Sequence, residues 1–217
     1  GATRGIGRAI AIELSSTHRI LVGGRDAARA GELVAELDDA APFVCDLADE
    51  DAVAAACAGI GRLDVLVHSA GIGRSNDIGL ASRALWREVF ETNVFAVADL
   101  TRLLLPALEA ARGIVVAINS GAGFFSSPGG GVYAGSKFAL RALTDALREE
   151  MRGKVRVCSI HPGRTDTDMQ RELQAAMGNE HYNGSCYVSP GSVAAAVRLA
   201  VDTPDNATVE QLSIRPS

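Results

Sequence analysis

Tyr133 and Lys137 lie four residues apart in the run Tyr-Ala-Gly-Ser-Lys, at the head of the most helical segment of the chain. On a helix that spacing puts a phenol and an ammonium on one face, about 5–6 Å apart at their Cβ atoms. A cation that close favours the phenolate and draws a tyrosine pKa down from its usual value near ~10, which makes the phenol a usable proton donor and acceptor. A surface tyrosine beside a surface lysine would show the same spacing, so the pair needs support from elsewhere. Lysine is scarce here: Lys137 and Lys154 are the only two, and the remaining positive charge is arginine. Ser120 ends an apolar run thirteen residues before Tyr133 and can hydrogen-bond a carbonyl oxygen, with Ser126 and Ser127 in the following loop as rivals.

The elements that must position these groups read as alternating strands and helices. Gly1, Gly5 and Gly7 form a G-x-x-x-G-x-G turn that runs into a helical apolar pattern of Ile6, Ala9, Ile10, Ile12 and Leu14. Strands are expected at 19–23 (buried), 42–46, 63–68, 113–119, 155–160 and 208–214. Helices are expected at 27–37, 51–58, about 85–105, 133–151, near 169–177 and at 192–201, with Pro106 kinking or ending the longest. Strands alternating with helices of this length imply βαβ units. The expected fold is α/β: a Rossmann-like three-layer αβα sandwich around a doubly wound parallel sheet, in one domain over 1–217. The chain opens on the glycine turn, so the first strand of that sheet is expected to precede Gly1. The long polar stretch 164–190 is expected to be a functional loop over the site.

Composition narrows the function. The chain has 217 residues, 47% of them apolar, and a net charge of −5, with a pI near 5.4. That balance, without a basic stripe, argues against nucleic acid or an anionic membrane as partner. No apolar run reaches the ~18–20 residues of a membrane span. Cys45, Cys57, Cys158 and Cys186 stand singly, without metal-ligand spacing, and read as reduced thiols of a cytoplasmic protein that needs no metal.

In open α/β sheets, ligands bind beyond the carboxyl ends of the strands. Gly1 to Gly7, Arg25, Asp46, Ser69 to Gly71, Ser120 and Pro162-Gly163 each follow an apolar run or open the chain, and so are drawn into one site. These pieces resemble a short-chain dehydrogenase/reductase over nearly the whole chain: Gly-Ala-Thr-Arg-Gly-Ile-Gly at 1–7, Ser-Ala-Gly at 69–71, Asn93, Ser120, Tyr133 to Lys137, and Pro162-Gly163. The resemblance implies a catalytic set of Asn93, Ser120, Tyr133 and Lys137. Asn93 would hold a water that links Lys137 to solvent.

The resemblance also assigns the cofactor residues. Gly1, Arg4, Gly5, Ile6 and Gly7 would carry a pyrophosphate on a helix N-terminus. Arg25 follows the second strand, and Gly24 stands where NAD-using relatives carry Asp. An arginine there accommodates a 2′-phosphate, so NADP(H) is expected rather than NAD(H), with Asp26 keeping the alternative open. Asp46 and Leu47 match the adenine-contacting pair, although Asp46 could instead cap the next helix, a place Asp49 suits better. Ser69, Ala70 and Gly71 would approach the cofactor, with Ser69 shorter than the usual Asn. His68 reads as a packed, hydrogen-bonded histidine. Pro162, Gly163, Thr165 and Thr167 resemble the nicotinamide cradle, with either threonine able to make the side-chain contact. The expected reaction interconverts a small-molecule carbonyl and its alcohol, with Phe124, Phe125, Met169 and Tyr182 making a partly apolar pocket. A non-catalytic NADP(H) sensor or scaffold on the same fold is the rival reading. Relatives mostly form dimers or tetramers, which implies a homodimer or homotetramer, with Phe95, Leu100, Leu103, Leu104 and Phe138 available to an interface or to the core.

Overall fold

A computed structural model describes residues 1–176, 178–179 and 181–217. The expected helix near 169–177 is present as Asp168–Ala176, and its expected last residue, Met177, lies outside the described residues. The helices are α1 (Gly5–Ser15), α2 (Ala27–Glu36), α3 (Glu50–Cys57), α4 (Arg83–Phe90), α5 (Ala96–Ala111), α6 (Gly131–Glu150), α7 (Asp168–Ala176) and α8 (Pro190–Asp202). The strands are β1 (Ile20–Gly24), β2 (Ala40–Val44), β3 (Val65–His68), β4 (Ile114–Ile118), β5 (Arg156–Pro162) and β6 (Gln211–Ile214).

All strand pairings are parallel, in two pieces: β1 with β2, and β3-β4-β5-β6. The first two residues lie between those pieces. The Ala2 N–H donates to the Gly23 carbonyl at 2.8 Å, and Gly1 abuts the backbone of Ser69 and Ala70.

The sandwich follows from side-chain alternation along the central strands. Ile114, Val116 and Ile118 of β4, with Cys158 and Ile160 of β5, pack with α1 and α8 through Ile10, Leu14, Val193 and Val197. Val115 and Val157 point the other way, into a core with Val53, Leu100, Leu104, Leu108 and Leu147 of α3, α5 and α6. Each layer is therefore specified by every second residue.

Three expectations are corrected. The strand expected as buried over 19–23 begins one residue later; only Val22 is fully buried, and Leu21 is 40% exposed. The strand expected at 42–46 is Ala40–Val44, which leaves Asp46 beyond the strand end. The long helix neither starts at 85 nor stops at Pro106. It runs from Arg83 to Ala111, with a π-helical turn at Glu91–Phe95 between α4 and α5. Pro106 is exposed within α5, while Leu104, Ala107 and Leu108 anchor the same turns in the core, so one missing backbone hydrogen bond is outweighed. Arg112, left-handed at φ 51, ends the helix.

Candidate active site

Ser120 follows β4 in extended conformation, and the polar groups of its residue are held from different directions. Its N–H donates to Asn119 Oδ1 at 3.0 Å, its carbonyl meets His161 Nδ1 at 3.0 Å, and its Oγ accepts from the Ala122 N–H at 3.1 Å. Because Oγ is an acceptor in that bond, its proton remains free to be donated toward an oxygen in the site. Tyr133, in the first turn of α6, is half-buried. Burial pushes its phenol pKa up, and a hydrogen bond with the Ser120 side chain pulls it the other way. The expected net lowering is corrected here: burial outweighs the opposing Ser120 hydrogen bond, and the phenol pKa is raised.

Lys137 has its ammonium 5.8 Å from the centre of the Tyr133 ring and donates to the Ile118 carbonyl at 3.0 Å. The side chain is only 5% exposed. Burial lowers its pKa to about 8, because taking an ammonium out of water favours the neutral amine.

Asn93 lies in the π-helical turn and is 1% exposed. Its Oδ1 accepts from the Ile72 N–H at 2.9 Å, and its Nδ2 donates to the Ile72 carbonyl and to Ser136 Oγ, both at 3.0 Å. Ser136 Oγ in turn donates to the Tyr133 carbonyl at 2.7 Å. Asn93 thus ties the segment after β3 to the first turn of α6, and its amide hydrogens are spent on that task. Only the second lone pair of Oδ1 is left for the expected water.

The glycine turn fits a pyrophosphate cradle. Gly5 has φ +53, a conformation glycine adopts without strain, and a Cβ on Gly7 would run into the Gly1 carbonyl. Ser69 is close by, with its Oγ 3.1 Å from where that Cβ would be, so the serine is packed on the head of α1. Ile6 packs against the α1–α8 side of the core while its backbone lies at the helix head. Ala70 lies beside Gly1, and a Cβ on Gly71 would come within 3.3 Å of Asn93 Oδ1 and 3.9 Å of Lys137 Nζ.

At the end of β1, Arg25 is exposed and makes no ion pair among the described residues. Asp26 instead caps α2, accepting from the N–H groups of Ala28 and Arg29. Asp46 is exposed and accepts from the Ala48 N–H, while Asp49 caps α3. Leu47 packs against the α3–α5 core.

Beyond Pro162, the Gly163 N–H donates to the Ile214 carbonyl at 2.7 Å. Thr165 is buried and its hydroxyl is turned back onto the Gly163 carbonyl, whereas the Thr167 methyl lies 3.3 Å from the Cβ position of Gly5. Thr167 is therefore the threonine whose side chain borders the glycine turn. The segment that follows is pinched at its base by the pairing of Thr165 with Val188. α7 crosses toward the site, with Met169 Sδ 3.3 Å from the Cβ position of Gly73 and Glu172 3.9 Å from Arg4. Tyr182 turns from the expected pocket to donate to Asp166 and to stack on Tyr187; Phe124 packs on His161 and under Arg141.

Comparison with known proteins decides the family. The family model described as "short chain dehydrogenase" matches residues 1–178. The chain belongs to the short-chain dehydrogenase family. Like other members, this short-chain dehydrogenase is an oxidoreductase of the alcohol–carbonyl pair. It is 32% identical over 230 residues to a serine 3-dehydrogenase from Agrobacterium fabrum, covering 100% of this chain and 91% of that protein. An alcohol dehydrogenase from Thermococcus sibiricus, solved with 5-hydroxy-NADP, superposes with a TM-score of 0.90 at 27% identity, over 100% of this chain and 94% of that one. The closed form of a serine dehydrogenase complexed with NADP+ gives 0.90 at 26% identity, over 100% and 92%.

Sequence reasoning on this short-chain dehydrogenase missed Asn119, Ser136 and His161, which brace the expected residues. Ser136 was visible inside the Tyr-Ala-Gly-Ser-Lys run, and Asn119 and His161 carried one signal each, a polar side chain at the end of an apolar strand. His68 is as expected. Thr101 donates its only proton to the Val97 carbonyl at 2.7 Å, so its oxygen accepts from His68 Nε2 at 2.8 Å. Burial lowers the His68 pKa to about 4 and keeps the ring neutral. Among the described residues no helix is long and apolar enough to cross a membrane, and no cluster of three His, Cys, Asp or Glu side chains offers a metal site.

Proposed function

We propose that this short-chain dehydrogenase interconverts a small-molecule carbonyl (aldehyde, ketone or quinone) and the corresponding alcohol with NADP(H), using Asn93, Ser120, Tyr133 and Lys137. The observation that carries the reading is the convergence at the carboxyl edge of the sheet of a phenol, a serine hydroxyl hydrogen-bonded to it and a buried ammonium. NADPH supplies the hydride when bound; everything else is done by side chains.

Ser120 donates a hydrogen bond from its hydroxyl to the substrate oxygen and fixes its place, keeping its own proton. Tyr133 gives that oxygen a proton in reduction and takes one in oxidation. Lys137 acts as an ammonium that donates to the Ile118 carbonyl, its pKa lowered by burial to about 8. Its charge favours the phenolate once the proton has left Tyr133. Asn93 holds the segment at Ile72 against α6, and so holds Gly71 beside Lys137.

Gly1, Gly5, Ile6 and Gly7 would carry the pyrophosphate at the head of α1, Asp46 and Leu47 the adenine, and Ser69, Ala70, Gly71, Pro162, Gly163 and Thr167 the nicotinamide half; Thr165 shapes that last segment from beneath. Arg25 supports NADP over NAD because it makes no ion pair among the described residues, and Asp26 is committed to capping α2. Arg4 supplies a second cation. Solved relatives complexed with NADP+ and 5-hydroxy-NADP point the same way. Phe95 and Phe138, 53% and 44% exposed, support a homodimer or homotetramer built on the α4–α5 and α6 helices, whereas Leu100 and Leu104 are spent in the core.

The test is steady-state oxidation of NADPH against a panel of aldehydes, ketones and quinones, with reduction of NADP+ by L-serine and other 3-hydroxy acids as the reverse arm. Turnover in either arm is expected. Tight NADPH binding with no turnover in any arm would leave a sensor as the better description.

A further inference from the structure

His161 is fully buried at the end of β5, one residue before Pro162, and the mechanism above gives it no task. Its two ring nitrogens face partners of opposite kind. Nδ1 is 3.0 Å from the Ser120 carbonyl oxygen, which can only accept, so Nδ1 carries the proton. Nε2 is 3.1 Å from the side-chain amide nitrogen of Gln211 in β6, which can only donate, so Nε2 is the acceptor. The reverse orientation of the Gln211 amide would demand a proton on both nitrogens. Burial lowers the His161 pKa and so opposes that. The charged groups facing the ring are Arg141 and Asp145 of α6 and Arg215 after β6, with two cations against one anion. The Phe124 ring closes the remaining side at 4.4 Å between centroids, and Arg215 donates to the His161 carbonyl at 2.9 Å.

We propose that His161 is a positioning residue: Gln211 fixes its tautomer, and the Nδ1 proton locks the Ser120 carbonyl so that the Ser120 hydroxyl meets the substrate oxygen. The chain Gln211 to His161 to Ser120 crosses β6, β5 and the end of β4, and ends on the one residue that orients the carbonyl. Without it, Ser120 keeps its Asn119 and Ala122 bonds, and its carbonyl keeps the Gly123 N–H at 3.0 Å but loses the one bond that reaches it from β5. The inference rests on the reading of Ser120 given above.

The test is a set of single and double variants assayed for kcat, KM, NADPH affinity by fluorescence titration, and melting temperature. His161→Phe removes the donor and should lower kcat about 10- to 100-fold, the scale expected when a reacting group is misplaced by a fraction of an ångström to 1 Å. NADPH affinity should change less than about threefold, because the substitution leaves the glycine turn at the head of α1 and the backbone of Pro162 and Gly163 in place. His161→Asn places an amide N–H where Nδ1–H was and should restore kcat to within about fivefold of the parent. In a Ser120→Ala background, His161→Phe should cost nothing further, since the hydroxyl it positions is gone. Gln211→Leu, at an exposed residue, leaves the core intact and should lower kcat about three- to tenfold by releasing the tautomer.

If Ser120→Ala keeps full activity, the reading of Ser120 fails. If Ser120→Ala is crippled while both His161→Phe and Gln211→Leu retain parental kcat, the positioning role alone is overturned. Equal losses for His161→Asn and His161→Phe, or independent losses in the double variant, overturn it too. Should His161→Phe fail to fold, Gln211→Leu and His161→Asn decide the matter.

Discussion

Replacing Lys137 with methionine should make the cofactor-free protein less sensitive to pH. The folded-state pKa of Lys137 is lowered by burial from 10.5 to about 8. Below pH 8 the ammonium is held charged in a site that disfavours it, at a cost of about 2.5 pK units, or ~3 kcal/mol at 1.36 kcal/mol each. The sign follows from proton counting. Between about pH 8 and 10.5 the unfolded chain binds more protons than the folded one, so the lysine's contribution to stability rises with pH through that window and is flat on either side. A methionine side chain has no such dependence. The substitution also orphans the Ile118 carbonyl that Lys137 Nζ contacts at 3.0 Å, an offsetting cost of ~1–2 kcal/mol. The variant should therefore be ~1–2 kcal/mol more stable than the parent at pH 7, and the difference should move by ~2–3 kcal/mol toward the parent by pH 10. Urea unfolding of both proteins at several pH values, followed by circular dichroism, measures this directly. A difference that stays constant from pH 7 to pH 10 would refute the reasoning, because it would mean that the ammonium is already solvated.

Arg25→Ala should weaken NADPH binding by about tenfold and leave NADH binding unchanged, the size of one lost charge-assisted hydrogen bond; competition titrations with the two cofactors check it. Gly7→Ala drives a methyl into the Gly1 carbonyl and should cost ~1–3 kcal/mol of stability while abolishing saturable NADPH binding, read by thermal melts with and without cofactor.

The parts of the fold legible in the sequence are those fixed by local pattern. The alternation of β4 and β5 residues between two cores, the cap at Asp49, and the helix carrying Tyr133 and Lys137 all follow from spacing and side-chain type, whereas Asp26, read as a residue bearing on cofactor choice, is a cap of α2. The π-helical turn around Asn93 did not declare itself, because its cause is tertiary: the Asn93 amide is drawn to both backbone groups of Ile72, twenty-one residues away. Pro106 misled for the same reason, as packing of its neighbours overrides its own propensity. Among the proposed site residues, those that carry their own chemistry were named from residue type, spacing and the family resemblance together. Those that act through another were not, because the target of His161 is a backbone carbonyl that no pattern marks. The state of Tyr133 also escaped the sequence. Proximity to Lys137 predicts a lowered pKa, whereas burial raises it, with Ser120 as the opposing group.

The central claim is that Tyr133 is the proton donor in a site assembled with Ser120 and Lys137. The most direct measurement is single-turnover reduction of an active carbonyl substrate by Tyr133→Phe, with NADPH affinity measured on the same sample. The account predicts a loss of at least about a thousandfold in the chemical step, on the scale of general acid catalysis combined with lost orientation, and a dissociation constant for NADPH within about threefold of the parent. A Phe variant that reduces the substrate within about tenfold of the parental rate, with NADPH equally well bound, would contradict it.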